Sequence, residues 1–218
     1  MVSVHIASIF GREDSLHKTI DSIIGQVDKI YVMLNDYPSI PRWLEDDKIH
    51  AEILDNSLGD GAKWLHCWDE PSICACLDDD LILPSNYIEV LRQGLSLYGG
   101  AVSFHGKCYR NRPINHFRRD FTANYRCLNT VECDFPVDII GTGVLMFDNH
   151  NILGDSSLFE HKNMADVLFS RLCIKQGVSM TVLAHKLGYI RYQPQKTTIW
   201  NTSQDDTIPT RLINEFLK

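Results

Sequence analysis

One stretch constrains this chain more than any other: Ser72-Ile-Cys-Ala-Cys-Leu-Asp-Asp-Asp-Leu-Ile-Leu-Pro84. Six residues with a single polar member run straight into three carboxylates, and an apolar segment and a proline turn follow. A short apolar run of this kind reads as a buried strand. Charge at its C-terminal end then lies at the sheet edge where α/β proteins bind ligands. Adjacent carboxylates repel: two unit charges about 4 Å apart cost roughly 1 kcal/mol in water and about 4 kcal/mol at an effective dielectric of 20. A cation offsets that cost. A hard divalent ion with oxygen ligands fits, and Mn²⁺ or Mg²⁺ commonly takes phosphate oxygens as further ligands. The competing reading is a solvated acidic turn that closes a strand.

The 218 residues fit one domain, and 44% hydrophobic with 22% charged content suits a packed core. No apolar run approaches the roughly 20 residues of a membrane span. The start, Met-Val-Ser-Val-His-Ile, lacks the basic and small-residue features of a secretion signal. Seven cysteines with no Cys-x-x-Cys pair argue against a zinc ribbon and for reduced thiols, so the expected location is cytoplasmic. The net charge of −7 is unevenly spread. Lys107 to Arg126 holds six basic residues (Lys107, Arg110, Arg112, Arg118, Arg119, Arg126) and one acid, Asp120, with Tyr109, Phe117, Phe121 and Tyr125 interleaved. A basic segment in an acidic protein points to an anionic partner.

Along the chain, Val2–Ile9 reads as a strand, and Leu16, Ile20, Ile23 and Ile24 mark the apolar face of a helix ending near Gly25. Lys29–Leu34 and Ile49–Leu54 are further strands. A glycine-rich loop, Asn56–Lys63, leads into a short helix with Trp64 and Trp68. After the acidic triad a helix follows Pro84-Ser85 and stops at Gly99-Gly100. Ala101–Phe104 is a strand, Val137–Phe147 a strand broken by Gly141-Thr142-Gly143, Asn163–Gln176 a helix, Ser179–Ala184 a last strand, and Thr207 caps a final helix. This alternation predicts a mostly parallel α/β sheet flanked by helices, with right-handed crossovers, in a single domain over 1–218.

The ordered set resembles the GT-A glycosyltransferases, in particular the small bacterial transferases that include the heparosan-capsule N-acetylglucosaminyltransferase. It comprises a strand-turn-helix start, a strand ending in Asn35-Asp36, a Gly-x-Lys loop, Asp78-Asp79-Asp80, Gly141-Thr-Gly143, Asp166-Val-x-Phe-Ser170 and Trp200-Asn201. The likeness runs from about Ser3 to Asn201. It implies a Rossmann-like fold with residues 1–100 binding the nucleotide, 101–195 carrying acceptor and catalytic functions, and 196–218 forming a tail and helix. It also implies that Asp78 and Asp80 hold Mn²⁺ or Mg²⁺ on the donor diphosphate, a Lewis-acid role, with Asp80 the direct ligand and Asp78 nearer the ribose. Ser8, Arg12, Asn35, Asp36, Lys63, Asp79, Gly141, Thr142, Gly143 and Trp200 fall on the donor side. Asp166 falls near the reacting carbon, as base or as electrostatic stabiliser. Asn163-x-x-Asp166 also has the spacing of a capping box. Many GT-A enzymes have a C-terminal metal-ligating histidine, whereas here no histidine follows His185, leaving Asp205, Asp206 or water for that place.

The expected reaction is transfer of a sugar from a uridine-linked donor to a hydroxyl, with retention suggested by the resemblance. Arg110, Arg112, Arg118 and Arg119 are the expected acceptor contacts. Arginine forks suit the carboxylates of a uronic-acid glycan and aromatic faces suit sugar rings, so a capsular or surface glycan is favoured. A modified base in phage DNA, or a patch for peripheral contact with anionic lipid, remains an alternative. A metal-dependent nucleotidyltransferase or phosphatase, or a non-catalytic nucleotide-sugar or cation-binding module, would also use an acidic strand end. Only Gly11-Arg12 follows the first strand, against the glycine-rich phosphate loop of nucleotidyltransferases.

Overall fold

The computed structural model describes residues 1–159, 161–196 and 205–217. Its first half is a parallel sheet of β1 (Val2–Ile9), β2 (Lys29–Asn35), β3 (Ile49–Leu54) and β4 (Ile73–Asp78). Alternation along β1 explains why both faces are covered. Val2, Val4 and Ile6 join a core with Leu16, Ile20 and Ile23 of α1 (Glu13–Ile23) and Tyr87, Ile88 and Leu91 of α2 (Tyr87–Tyr98). On the opposite face Cys74 and Cys76 of β4 join a second core with Trp64, Phe147 and Phe169. Each fully buried Leu or Ile contributes about 1.5–3 kcal/mol relative to exposure. α2 stops where Gly99 and Gly100 take φ of +63° and +59°.

The second half adds β6 (Ala101–Ser103), β9 (Phe135–Pro136), β11 (Val144–Asp148) and β12 (Met180–Val182). The eight-stranded order is β3-β2-β1-β4-β11-β6-β12-β9. β11 runs antiparallel to both β4 and β6, β6 and β12 are parallel, and the edge strand β9 is antiparallel to β12, so the sheet is mostly parallel with one reversal inside it and one at its edge. One sheet spans both halves, which makes them a single domain. Short strands β7 (Gly106–Cys108), β8 (Ala123–Tyr125) and β10 (Ile139–Ile140) form a separate sheet in the order β10-β7-β8. A two-stranded pair joins β5 (Leu81–Ile82) to β13 (Arg191–Tyr192).

The expected single strand over Val137–Phe147 is therefore two strands in two sheets. The glycines between them explain the switch. A Cβ on Gly141 would lie 2.6 Å from the His105 Cβ, and one on Gly143 would lie 2.0 Å from an Asp78 oxygen. The backbone must pass closer than any side chain permits, and it leaves one sheet for the other in doing so.

α3 (Ala165–Lys175) packs against α4 (Thr207–Phe216), whose Leu212 and Ile213 enter the second core. α4 also fastens the basic segment. Asn214 accepts from Ile114 N at 2.9 Å and donates to Ile114 O at 2.8 Å, and Thr210 Oγ1 accepts from Phe117 N at 3.0 Å. Trp200 and Asn201 lie outside the described residues. No helix among the described residues is long and apolar enough to cross a membrane. All seven cysteines are free thiols.

Candidate active site

The C-terminal ends of β1, β2 and β4 converge where the chain order reverses: β2 and β3 lie to one side of β1, and β4 lies to the other. This is the crevice that open α/β sheets offer to ligands. Asp78 ends β4, and the triad divides into three different environments. Asp79 is buried and turns toward β1. It accepts from Ser8 Oγ at 2.6 Å and from Arg12 Nη1 at 2.6 Å. Ser8 also meets the Tyr37 hydroxyl at 3.1 Å. Ser8 and Arg12 are thus engaged by the middle aspartate.

Asp78 receives the Lys63 ammonium at 2.9 Å. Its side chain keeps 54% of its surface open while protein surrounds it, as for a carboxylate on the floor of a bowl. Burial opposes its charge, but Lys63 first, then His105 and Arg12, hold its pKa below the ordinary carboxylate value. Burial likewise opposes the charge of Lys63, yet Asp78 and Asp60 outweigh it and raise its pKa. Asp80 has the weakest compensation, with Arg12 Nη1 at 3.6 Å. Burial, then the charges of Asp78 and Asp79, push its carboxyl up to about 7.

Around the triad, Asn35 donates to Gly59 O at 3.0 Å and so ties β2 to the turn Gly59–Trp64 that carries Lys63. Asp36 is exposed, adopts φ of +60° and accepts from Asn56 N at 3.2 Å. These two residues brace the loop between them.

Asp166 sits in the first turn of α3. Its Oδ1 accepts two bonds from Thr142, from the backbone N at 2.8 Å and from Oγ1 at 2.7 Å. The capping box suggested by Asn163-x-x-Asp166 does not form. Asn163 has φ of +60°, its side chain accepts from Asp60 N at 3.3 Å, and the N-cap residue Met164 makes no side-chain cap. Gly141-Thr142-Gly143 therefore links three site groups: His105 at Gly141, Asp166 at Thr142 and Asp78 at Gly143.

Three groups enter this cleft that sequence reasoning did not single out as site residues. Asp60 is pushed up to about 7, by burial first and by the charges of Asp166 and Asp78, against Lys63. Burial holds His105 below the ordinary imidazole value, although Asp166 and Asp78 pull the other way. Lys107 is buried, and burial lowers its pKa, with Asp166 opposing and Arg118 and Arg126 adding to it. Its ammonium lies 4.2 Å from the Phe117 ring centroid. A carboxylate between two glycines (Gly59-Asp60-Gly61) and a histidine just past a strand end were the available signals.

The four expected acceptor arginines do not gather. Arg118 stands near Lys107 and is fixed through its backbone N to Asp206 at 3.3 Å. Arg110 and Arg119 are exposed. Arg112 binds Asp138 at 2.7 Å and Tyr109 O at 2.7 Å. With Asp138 it lines a cavity of about 370 Å³ that also touches Ile174, Val178 and Phe216, at the end of α3 opposite Asp166. That placement removes Arg112 from the cleft. Asp205 accepts from Thr207 N at 2.9 Å, and Asp206 faces His116 at 3.7 Å, so both are engaged at the start of α4. The ring nitrogens of His185 lie against the carbonyls of Leu183 and Arg126.

Among solved structures, the chain is similar to S. aureus TarS 1–349 in complex with UDP-GlcNAc, with a TM-score of 0.63 at 12% identity, covering 99% of this chain and 71% of that one. A second crystal structure of S. aureus TarS 1–349 gives a TM-score of 0.53 at 13% identity over 99% and 70%. The fold is the Rossmann-like GT-A fold. No protein-family model matches the chain, and no curated protein matches it in sequence. Within the GT-A sheet the acidic triad occupies the crevice end of β4, beside the backbone of Gly143.

Proposed function

We propose that the protein is a metal-dependent glycosyltransferase that moves a sugar from a uridine-diphosphate donor to a hydroxyl of an anionic acceptor, a glycan of the capsular or surface type. The observation that carries this reading is the pair Asp78 and Asp80 at the crevice of a GT-A sheet, with Gly143 pressed against Asp78. The UDP-GlcNAc bound to the structurally similar TarS supports a uridine-linked donor.

The donor set fits a hard divalent ion. Asp78 and Asp80 offer only oxygen, and Asp80 carries the least compensated charge of the three. When bound there, Mn²⁺ or Mg²⁺ would neutralise charge developing on the departing diphosphate. Asp79 serves a different end: it holds Ser8 and Arg12 at the mouth of β1, where donor base and ribose would lie. Lys63 keeps Asp78 ionised, and the Asn35 and Asp36 contacts hold the Lys63 loop in register. The carboxylate of Asp166 is fixed through Oδ1 by Thr142, and its role is at the reacting carbon.

The resemblance to retaining transferases supports retention. Under it the leaving phosphate takes the acceptor proton, and Asp166 stabilises an oxocarbenium-like state without being a base. Asp166→Asn then keeps substantial turnover, whereas a base mechanism predicts near-complete loss. Lys107, Arg118 and Arg126 with Phe117 supply the cationic and aromatic face toward an acidic sugar. Steep salt-dependent binding to duplex DNA, with no binding to uronic-acid oligosaccharides, would move the acceptor to nucleic acid. The donor is tested by a thermal-shift panel of nucleotide sugars with Mn²⁺. A UDP-sugar should raise the melting midpoint, and failure of every nucleotide sugar to do so would exclude this reading.

A further inference from the structure

On the face of the sheet that carries the Gly59–Trp64 turn, but toward the edge strand β3, lies a second group of potential ligands. His50 and Glu52 are two residues apart on β3 and share one side of it. His66, just beyond the Lys63 turn, meets them. One ligand atom from each of the three lies within 4.8 Å of the others. Tyr31 underpins the group, stacked on His66 with ring centroids 5.0 Å apart and edge-on to His50 at 5.5 Å.

The chemistry of His66 is the second observation. Its Nδ1 lies 2.6 Å from Asp69 Oδ2, and its Nε2 lies 3.2 Å from Glu52 Oε2. A neutral imidazole has one N–H and can donate to only one of two carboxylates. With Nδ1 donating across the shorter contact to Asp69, the Nε2 lone pair faces the Glu52 carboxylate. Nε2 and Glu52 Oε2 then face each other across 3.2 Å, a gap that suits two ligands of one metal ion. This is also the arrangement in which a carboxylate orients a metal-ligating histidine through the far nitrogen. The third donor, His50, completes a set of three ligands from two elements.

We propose that His50, Glu52 and His66 form a binding site for a borderline divalent transition ion of the Zn²⁺, Co²⁺ or Ni²⁺ class, with Asp69 positioning His66. Two imidazoles and one carboxylate select these ions over Mg²⁺ or Ca²⁺. Metal–donor distances of about 2.1 Å place donors roughly 3.4 Å apart, so small rotations of these partly exposed side chains close the site. The site stands apart from the acidic triad and from the transferase reading. It pins the segment after Lys63 to β3 and so stiffens the turn that reaches Asp78.

The test is Co²⁺ titration of the full chain, read by visible absorption and by isothermal titration, in an Asp78→Asn/Asp80→Asn background that disables the triad. One ion should bind, without a thiolate-to-cobalt charge-transfer band. His50→Ala and Glu52→Gln, both at partly open positions, should each weaken binding at least about tenfold, and Asp69→Asn should weaken it about tenfold or more through His66. Circular dichroism of the metal-free variants confirms that they fold. The proposal is overturned by the absence of binding at micromolar Co²⁺, by affinity unchanged in His50→Ala and Glu52→Gln, or by a charge-transfer band. The last result would place the ion at His5, Cys67 and Cys74, whose ligand atoms also lie within 4.8 Å of one another.

Discussion

The two walls of the cleft are held by different means. On the β1–β4 side, buried charge fixes the geometry: Arg12 and Ser8 converge on Asp79, and a buried Lys63 meets Asp78. On the other side, the segment from Lys107 to Arg126 has two three-residue strands and a long connection stitched to α4 by side-chain bonds to its backbone. The first wall is pre-organised by pairs that cannot be broken cheaply. The second is held mostly at its backbone, by neutral bonds to α4 worth about 1 kcal/mol each and by exposed or half-exposed carboxylates such as Asp138 and Asp120. On the proposed function the first wall meets the donor, which needs fixed charge positions, and the second meets the acceptor, which tolerates more movement.

The sharpest way to break this contrast is Asp79→Ala. It takes from the partly exposed Arg12 guanidinium the carboxylate it meets at 2.6 Å, and stability should fall by about 3 kcal/mol in chemical denaturation. A loss under 1 kcal/mol would mean that the β1–β4 wall is not fixed by buried charge. Asp60→Asn comes next. The Asp60 carboxyl rises from 3.8 to about 7 on folding. The folded chain then retains a proton that the unfolded chain releases, so this group lowers stability as pH rises from about 4 to 7. The variant should match the parent at pH 4 and melt higher at pH 8. Equal midpoints at pH 8 would contradict that burden.

Smaller effects are expected on the other wall. Asn214→Ala removes both bonds to Ile114 and should cost about 1–3 kcal/mol. It should raise KM for the acceptor while leaving donor binding unchanged. Weakened donor binding in equal measure would erase the distinction between the walls. Smallest is the arginine pair. Arg118→Ala should raise acceptor KM by about tenfold, the loss of one charge-assisted contact, whereas Arg112→Ala should leave it within about twofold. Equal effects would return Arg112 to the acceptor surface.

The same contrast governs what could be read from the chain. β1 to β4 and the three longest helices follow from apolar periodicity, because burial dictates residue type at nearly every position there. The triad was visible as charge ending an apolar run. The reversal of β11 was not, since Val144–Asp148 has the same apolar content whichever way it runs. Arg112 and Arg118 are six residues apart, yet Asp138 draws one to the far end of α3 while α4 fixes the other near Lys107. Nothing local encodes that separation. Asp60 and His105 look like ordinary loop and strand-end residues until the Lys63 turn and the Gly141–Gly143 crossing bring them together. The capping box failed because a left-handed Asn163 gives its side chain to Asp60.

The most direct measurement is release of UDP from UDP-GlcNAc with excess Mn²⁺, with excess chelator, and with Asp80→Asn. On the proposed function, a divalent ion held by Asp78 and Asp80 would stabilise the leaving diphosphate by several kcal/mol, so chelation and Asp80→Asn should each slow release roughly a hundredfold or more. Unchanged release in excess chelator would contradict the metal-dependent transferase.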